Sequence, residues 1–240
     1  MKNQYVADVG DYGKYSLLRA FLDAGVIVGV NWYLTEDDKS NDGKFTSYLQ
    51  DGGMRIYQPE IFDILKAISR KKRKSVIDIQ KSGILPGAVF YDKKIDVTGT
   101  PKERIQKRCQ WFEGSKDVLK EAELIFMDPD NGLMKTRKVS RKGAEKYIMP
   151  EEVARYFSEG HDVVYYCHKG RRTKEAWDSY LSIMFNRIPD AKPAVLTYHK
   201  GTQRSYVFLI HDESFRKYRK IIDVFESGWP RLFTEEYINR

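Results

Sequence analysis

Leu124-Ile125-Phe126-Met127-Asp128-Pro129-Asp130-Asn131-Gly132 is an apolar run that stops abruptly at two carboxylates, a proline and an Asn-Gly pair. Four apolar residues without polar alternation suit a strand buried on both faces, the kind found at the centre of a parallel sheet. Pro129 lacks a backbone donor and biases Asp128 toward an extended conformation, while Asn131-Gly132 favours a turn with positive φ. Both carboxylates are therefore expected at a rigid bend on the strand's carboxyl end. The segment begins like a calcium loop, but Gly132 comes one place early and Val139 stands where the closing glutamate belongs, which argues against an EF-hand.

The same grammar continues outward. Downstream, Pro150 to Glu159 reads as a helix, Asp162 to Cys167 as a strand and Thr173 to Phe185 as a helix, an alternation that implies right-handed βαβ units. Ala194 to Tyr198 and Ser205 to Ile210 are further strands; the link between them is too short for a parallel crossover, so an antiparallel pair is expected at the sheet edge. Asp212 to Phe225 closes the chain as a helix. Upstream, Asp11 to Asp23 is an amphipathic helix carrying Tyr15, Leu18 and Leu22 and stopping at Gly25, with Asp11 as its cap. Val26 to Leu34 follows as a buried strand, and Thr35 to Lys44 as a polar loop at its carboxyl end. Pro59 to Arg70 is a helix, Ala88 to Tyr91 a short strand, and Pro101 to Ala122 a long helix with Ile105, Cys109, Phe112 and Leu119 inward. No linker and no solenoid repeat interrupts this pattern, so one α/β domain over residues 1–240 is expected.

Composition narrows the class. Hydrophobic residues at 41% and charged residues at 32% describe a globular chain. No stretch of roughly 18 apolar residues is present to span a bilayer, and Met1-Lys2-Asn3-Gln4-Tyr5 lacks the features of a signal peptide, so the cytoplasm is the expected compartment. Cys109 and Cys167 form no C-x-x-C pair and are expected as ordinary buried thiols. The net charge of +8 is gathered in Arg70 to Lys74, in Arg137-Lys138 with Arg141-Lys142, and in Lys169 with Arg171-Arg172. Such clusters attract polyanions, which makes DNA or RNA the expected partner.

Ligands of open α/β sheets bind outside the carboxyl ends of the strands. Those ends are polar here: Asp128, Asp130 and Asn131 after one strand, His168, Lys169 and Arg171 after the next, His199 and Lys200 after another, and Glu36, Asp37 and Asp38 after the first. Asp128, Asp130, His168 and His199 are the types that bind Mg²⁺ or Mn²⁺ and activate water, and Lys169, Arg171, Arg172 and Lys200 the types that hold phosphate. In Asp8-Val9-Gly10-Asp11-Tyr12-Gly13-Lys14-Tyr15, Lys14 and the first-turn amides could meet a phosphate or a nucleobase, beside the capping role of Asp11.

The Gly10-Asp11-x-x-Lys14-Tyr15 helix, the Asp128-Pro129-Asp130-Asn131-Gly132 turn and a later strand-end histidine resemble a bacterial family whose activity is uncharacterised. More remotely the layout is similar to Rossmann-like methyltransferases, especially the ribosomal RNA adenine-N6 group and the three-Cys-motif partner proteins. The resemblance implies a three-layer Rossmann-like sheet and S-adenosylmethionine as cofactor, with a D-P-P-[YF] motif where Asp128 to Asn131 stand. It implies Asp128 and Asn131 on the target amine and Asp37 or Asp38 near the cofactor ribose, with Asp11, Lys14 and Glu36 also expected at the cofactor. Two departures are plain: Thr35-Glu36-Asp37-Asp38-Lys39 replaces the glycine-rich turn, and Asp130 and Asn131 replace the motif's second proline and aromatic.

Three readings follow. The first is methyl transfer to nucleic acid or a nucleotide, with Asp128, Asp130, Asn131 and His168 at the reaction centre. The second is a metal-dependent phosphodiesterase or nuclease using Asp128, Asp130, His168 and His199. The third is a non-catalytic nucleic-acid-binding module on the same fold.

Overall fold

The computed structural model describes residues 1–38, 43, 45–135, 140–229 and 231–236. Lys39 to Asp42 and Lys44 of the expected polar loop, and Arg137, Lys138 and Val139, lie outside the described residues. In chain order the elements begin with α1 (Val9–Asp23), β1 (Val28–Asn31), α2 (Tyr48–Asp51), α3 (Pro59–Ser69), α4 (Val76–Lys81) and β2 (Val89–Tyr91). They continue with α5 (Pro101–Leu119), β3 (Leu124–Met127), β4 (Gly132–Leu133), β5 (Tyr147–Ile148), α6 (Pro150–Ser158) and β6 (Asp162–His168). The last are α7 (Lys174–Arg187), β7 (Lys192–Tyr198), β8 (Arg204–Ile210), α8 (Asp212–Gly228) and β9 (Phe233–Glu235).

The apolar run at β3 sits in the middle of a seven-stranded sheet ordered β2-β1-β3-β6-β8-β7-β9. β1, β2, β3 and β6 are parallel, with Asn31 opposite Met127 and Met127 opposite Tyr165, so their carboxyl ends share one rim. Alternate strand residues face two cores. Val30, Phe126 and Phe208 pack with α1, α3 and α8, whereas Ile125, Tyr165 and Val207 pack with α5, α6 and α7. This is the three-layer arrangement, in which a parallel sheet is covered on both faces. Among the described residues no helix is long and apolar enough to cross a membrane.

Three expectations are corrected. β7 and β8 do pair antiparallel, but not at the edge: β8 is inserted between β6 and β7, and β9 closes that side. All seven residues of β8 are buried, the condition of a central strand. Along α5, Ile105 and Cys109 face outward and Cys109 is exposed, while Arg108, Trp111, Phe112, Ser115 and Leu119 face inward. Arg108 is tolerated there because Glu152 accepts from its Nε at 2.7 Å and its Nη2 at 2.8 Å, a paired charge that the interior can hold. Finally, Asp8 rather than Asp11 caps α1, its carboxylate accepting from the Gly10 amide at 2.9 Å.

Gly10 and Gly13 lie inside α1 and form no turn. Their role is close approach: a Cβ on Gly10 would meet the Arg204 side chain at 2.3 Å, and one on Gly13 the Tyr198 ring at 2.9 Å. Gly13→Ala thus sets a helix-propensity gain of about 0.8–1.0 kcal/mol against an overpacking cost of about 1–3 kcal/mol, and a buried ring between α1 and the sheet cannot swing away. The expected result is a net loss of roughly 1 kcal/mol, read as a lower urea midpoint. Gly228→Ala, where a Cβ meets nothing within 4 Å, is expected to move the midpoint up instead; equal shifts for both would remove the packing role of Gly13.

Candidate functional site

The chain runs from β1 to β2 on one side, and β3 lies on the other side of β1. The crevice between the carboxyl ends of β1 and β3 is therefore the switch point where open α/β sheets bind ligands. Asp128 follows β3 directly, and its amide donates to the Asn31 carbonyl at 2.9 Å. The amino-terminal turn of α1 stands against this crevice, and together they enclose a cleft of about 340 Å³. Asp11, Lys14, Asp128, Asp130, Asn131 and His168 all line it. Those six site residues of the sequence reading come together although they are drawn from three distant segments.

The floor of the cleft is a buried charge cluster. Lys14 Nζ lies 2.7 Å from Asp11 and 2.8 Å from Asp128 Oδ2, and all three side chains are no more than 5% exposed. Burial works against the Lys14 ammonium, but the two carboxylates outweigh it and hold its pKa above the usual lysine value. Burial raises the Asp11 carboxyl despite Lys14. The ammonium also rests over the Tyr15 and Trp32 rings, at 5.0 and 5.5 Å. Among the described residues nothing donates to Asp128 Oδ1, which leaves one carboxylate oxygen of the turn for a ligand.

Asp130 faces the beginning of the chain. The Met1 nitrogen lies 2.8 Å from Asp130 Oδ1 at an angle that makes no hydrogen bond, and donates instead to the carbonyls of Tyr33 at 3.1 Å and Asp128 at 3.0 Å. Thr35 Oγ1 donates to Asp130 Oδ2 at 3.2 Å. Tyr33 itself takes φ +45 at the turn where a glycine-rich loop would lie, pinned by its hydroxyl donating to Glu152 at 3.0 Å. His168 is half-buried, with Nε2 3.0 Å from the Tyr166 hydroxyl. Burial lowers its pKa, Arg204 and Arg172 lower it further, and a hydrogen bond to the Asp130 backbone partly offsets them, so the ring is neutral at pH 7.

Other expected residues stand elsewhere. Glu36 pairs with Lys94 at 2.7 Å on the outer surface. Asp37 accepts from the Gln4 amide at 3.1 Å, and Asp38 is bound by Lys2 and Gln4, so the acids expected near a cofactor ribose anchor the chain's first residues instead. His199 turns away from the cleft, its Nε2 2.7 Å from Thr234 Oγ1 beside β9. Lys169 is paired with Glu236 at 2.9 Å, Lys200 and Arg171 are exposed, and Arg172 packs over the Tyr180 ring at 4.9 Å. The metal set Asp128, Asp130, His168 and His199 is thus not assembled, since His199 is not among the residues lining the cleft. Among the described residues the one group of three with ligand spacing is Asp223, Glu226 and Glu235, away from the cleft.

Two charged side chains of the cleft, Asp8 and Arg204, escaped the sequence reading. Asp8 accepts from Arg204 Nη2 at 2.5 Å and from the Phe45 amide at 3.0 Å, joining α1, the loop before α2 and β8 into one wall. Nothing local announces a pair this far apart; the small residues at Gly10 and Gly13 were the available signal that α1 lies tightly on the sheet.

No family model matches the chain, and no curated protein matches it. A solved structure of similar fold is the protein LPL1258 from Legionella pneumophila, of the family designated DUF519, at TM-score 0.50 and 11% identity over 96% of each chain. That likeness concerns the fold along nearly the whole length of both proteins.

Proposed function

We propose that the chain is an S-adenosylmethionine-dependent methyltransferase acting on an exocyclic amine of a nucleic-acid base. The observation that carries this reading is the Asp128-Pro129-Asp130-Asn131 turn at the switch point, opening onto a ligand-sized cleft with Asp128 Oδ1 unengaged. The lining holds groups of the types the cofactor needs: Arg204, which already pairs with Asp8, for a carboxylate, Asp130 Oδ1, which accepts no hydrogen bond, for an ammonium, and Tyr5 and Phe45 for the face of an adenine. When bound, that group supplies an electrophilic methyl. Asp128 Oδ1 and the Asn131 side-chain carbonyl would accept hydrogen bonds from the two amine hydrogens, leaving the nitrogen lone pair free, and the proton that methylation displaces from the nitrogen would pass to Asp128 Oδ1. Lys14 Nζ, 2.8 Å from Asp128 Oδ2, fixes the orientation of this carboxylate. Because Asn131 replaces an aromatic, the base is gripped by its edge and not by a stacked ring.

The metal-dependent reading lacks comparable support, because His199 is not among the residues lining the cleft, and among the described residues Asp128, Asp130 and His168 form no group with ligand spacing. Calorimetry with S-adenosylmethionine, followed by transfer of labelled methyl to single-stranded RNA and DNA, tests the proposal. Asp128→Asn is expected to lower transfer by at least about a hundredfold with the fold intact, since Lys14 retains Asp11. Absence of cofactor binding at millimolar concentration would overturn the proposal and leave the non-catalytic module.

A further inference from the structure

Asn131 borders two recesses. On its other side from the cleft lies a groove of about 560 Å³ lined by Lys135, Arg141, Lys142, Lys146 and Arg172, with no carboxylate side chain in its lining. Among the described residues none of these five cations is ion-paired with an acid, whereas neighbouring Lys169 is paired with Glu236. The acidic turn and this groove are one piece of structure. β4 continues directly from Asn131 and pairs in parallel with β5, placing Gly132 opposite Tyr147. The Asn131 amide donates to the Lys146 carbonyl at 2.9 Å, and the Met134 amide to the Ile148 carbonyl at 2.8 Å. Lys135 and Arg172 both stand over the Tyr180 ring, at 5.6 and 4.9 Å from its centroid. Five cations of one sign repel one another, and the cost falls when a polyanion threads between them.

We propose that this groove is the track for the phosphodiester backbone of a single-stranded nucleic acid, which carries one nucleotide past Asn131 into the cleft. A recess favours a single strand, because proteins that read a duplex insert a projecting helix or ribbon into its groove. The half-exposed Tyr147 adds an aromatic face at the groove wall for an unpaired base. What happens to the base in the cleft rests on the methyltransferase reading; binding along the groove does not.

The test is fluorescence anisotropy with labelled 20-mers of one sequence as RNA, as DNA and as duplex, over a salt series. Five phosphate contacts at about 0.7 each give a log–log salt slope of about −3.5. The variant Arg141→Glu with Lys142→Glu changes exposed residues only; it is expected to weaken single-strand binding at least tenfold and to flatten the slope by about 1.4. Lys217→Glu with Lys220→Glu on α8 makes the same charge change elsewhere and is expected to leave affinity within twofold. Equal losses in the two variants, or tighter binding of duplex than of either single strand, overturns the track. The RNA and DNA arms decide which strand supplies the phosphates. Retained binding by Asp128→Asn, or by a wild type that takes up no S-adenosylmethionine, upholds the track while the chemistry alone fails.

Discussion

Replacing Lys14 with methionine is expected to cost about 3–5 kcal/mol of stability, seen as a fall in Tm of roughly 10 °C. The substitution removes the one cation between Asp11 and Asp128 and leaves two buried carboxylates facing each other. Adding Asp11→Asn should recover part of the loss, because only one stranded charge then remains. The pH response gives a second handle. Burial already raises the Asp11 carboxyl, and removing the ammonium that opposes this lets it rise further. A carboxyl whose folded pKa exceeds its unfolded value stabilises at low pH, and that contribution fades as pH rises through the folded pKa. The deficit of Lys14→Met should accordingly shrink between pH 7 and pH 5. A loss under 1 kcal/mol that does not change with pH would mean that the cluster is solvated and Lys14 does not govern Asp128.

Gly132→Ala is expected to cost about 3 kcal/mol or more. Gly132 has φ +96, where an L side chain is strained, and a Cβ there would meet the Cys167 Cβ at 2.5 Å and its Cα at 3.0 Å. The second contact is with backbone, so rotating a side chain cannot relieve it. Gly143→Ala is the matched control, with φ +93 but open space around it; it carries the dihedral strain without the clash. Chemical denaturation of both separates the two causes. Similar losses in the two variants would assign the whole effect to φ and would leave the turn free to move away from β6.

The central strands were legible because each is an uninterrupted apolar run with a polar terminus, and a parallel sheet permits nothing else at its centre. Asp128 to Gly132 was legible for the same reason, as a sudden change of chemistry. β9 was not: three residues ending in Glu235 carry too little pattern, and they are a strand only because β7 offers an open edge. Arg108 turns inward and Ile105 outward because an acid 44 positions later completes the arginine, a fact absent from the helix's own periodicity. The cleft divides similarly. Its groups at strand ends could be found from strand order, whereas the pairing of Lys14 with Asp128 required the depth at which α1 packs. Of the basic clusters, Arg141-Lys142 and Arg172 reached the groove, and Lys169 was lost to Glu236.

The placement of β8 also sets the order in which the protein matures. Arg204 opens that strand and closes on Asp8, a separation of 196 residues, and β8 must wedge between β6 and β7 to do so. A ribosome must therefore have translated past Arg204 before the wall holding His168 and the α1 turn can form. Contacts of such long range make folding slow, and a nascent chain halted before Arg204 carries the Asp128 turn with no enclosed chamber around it.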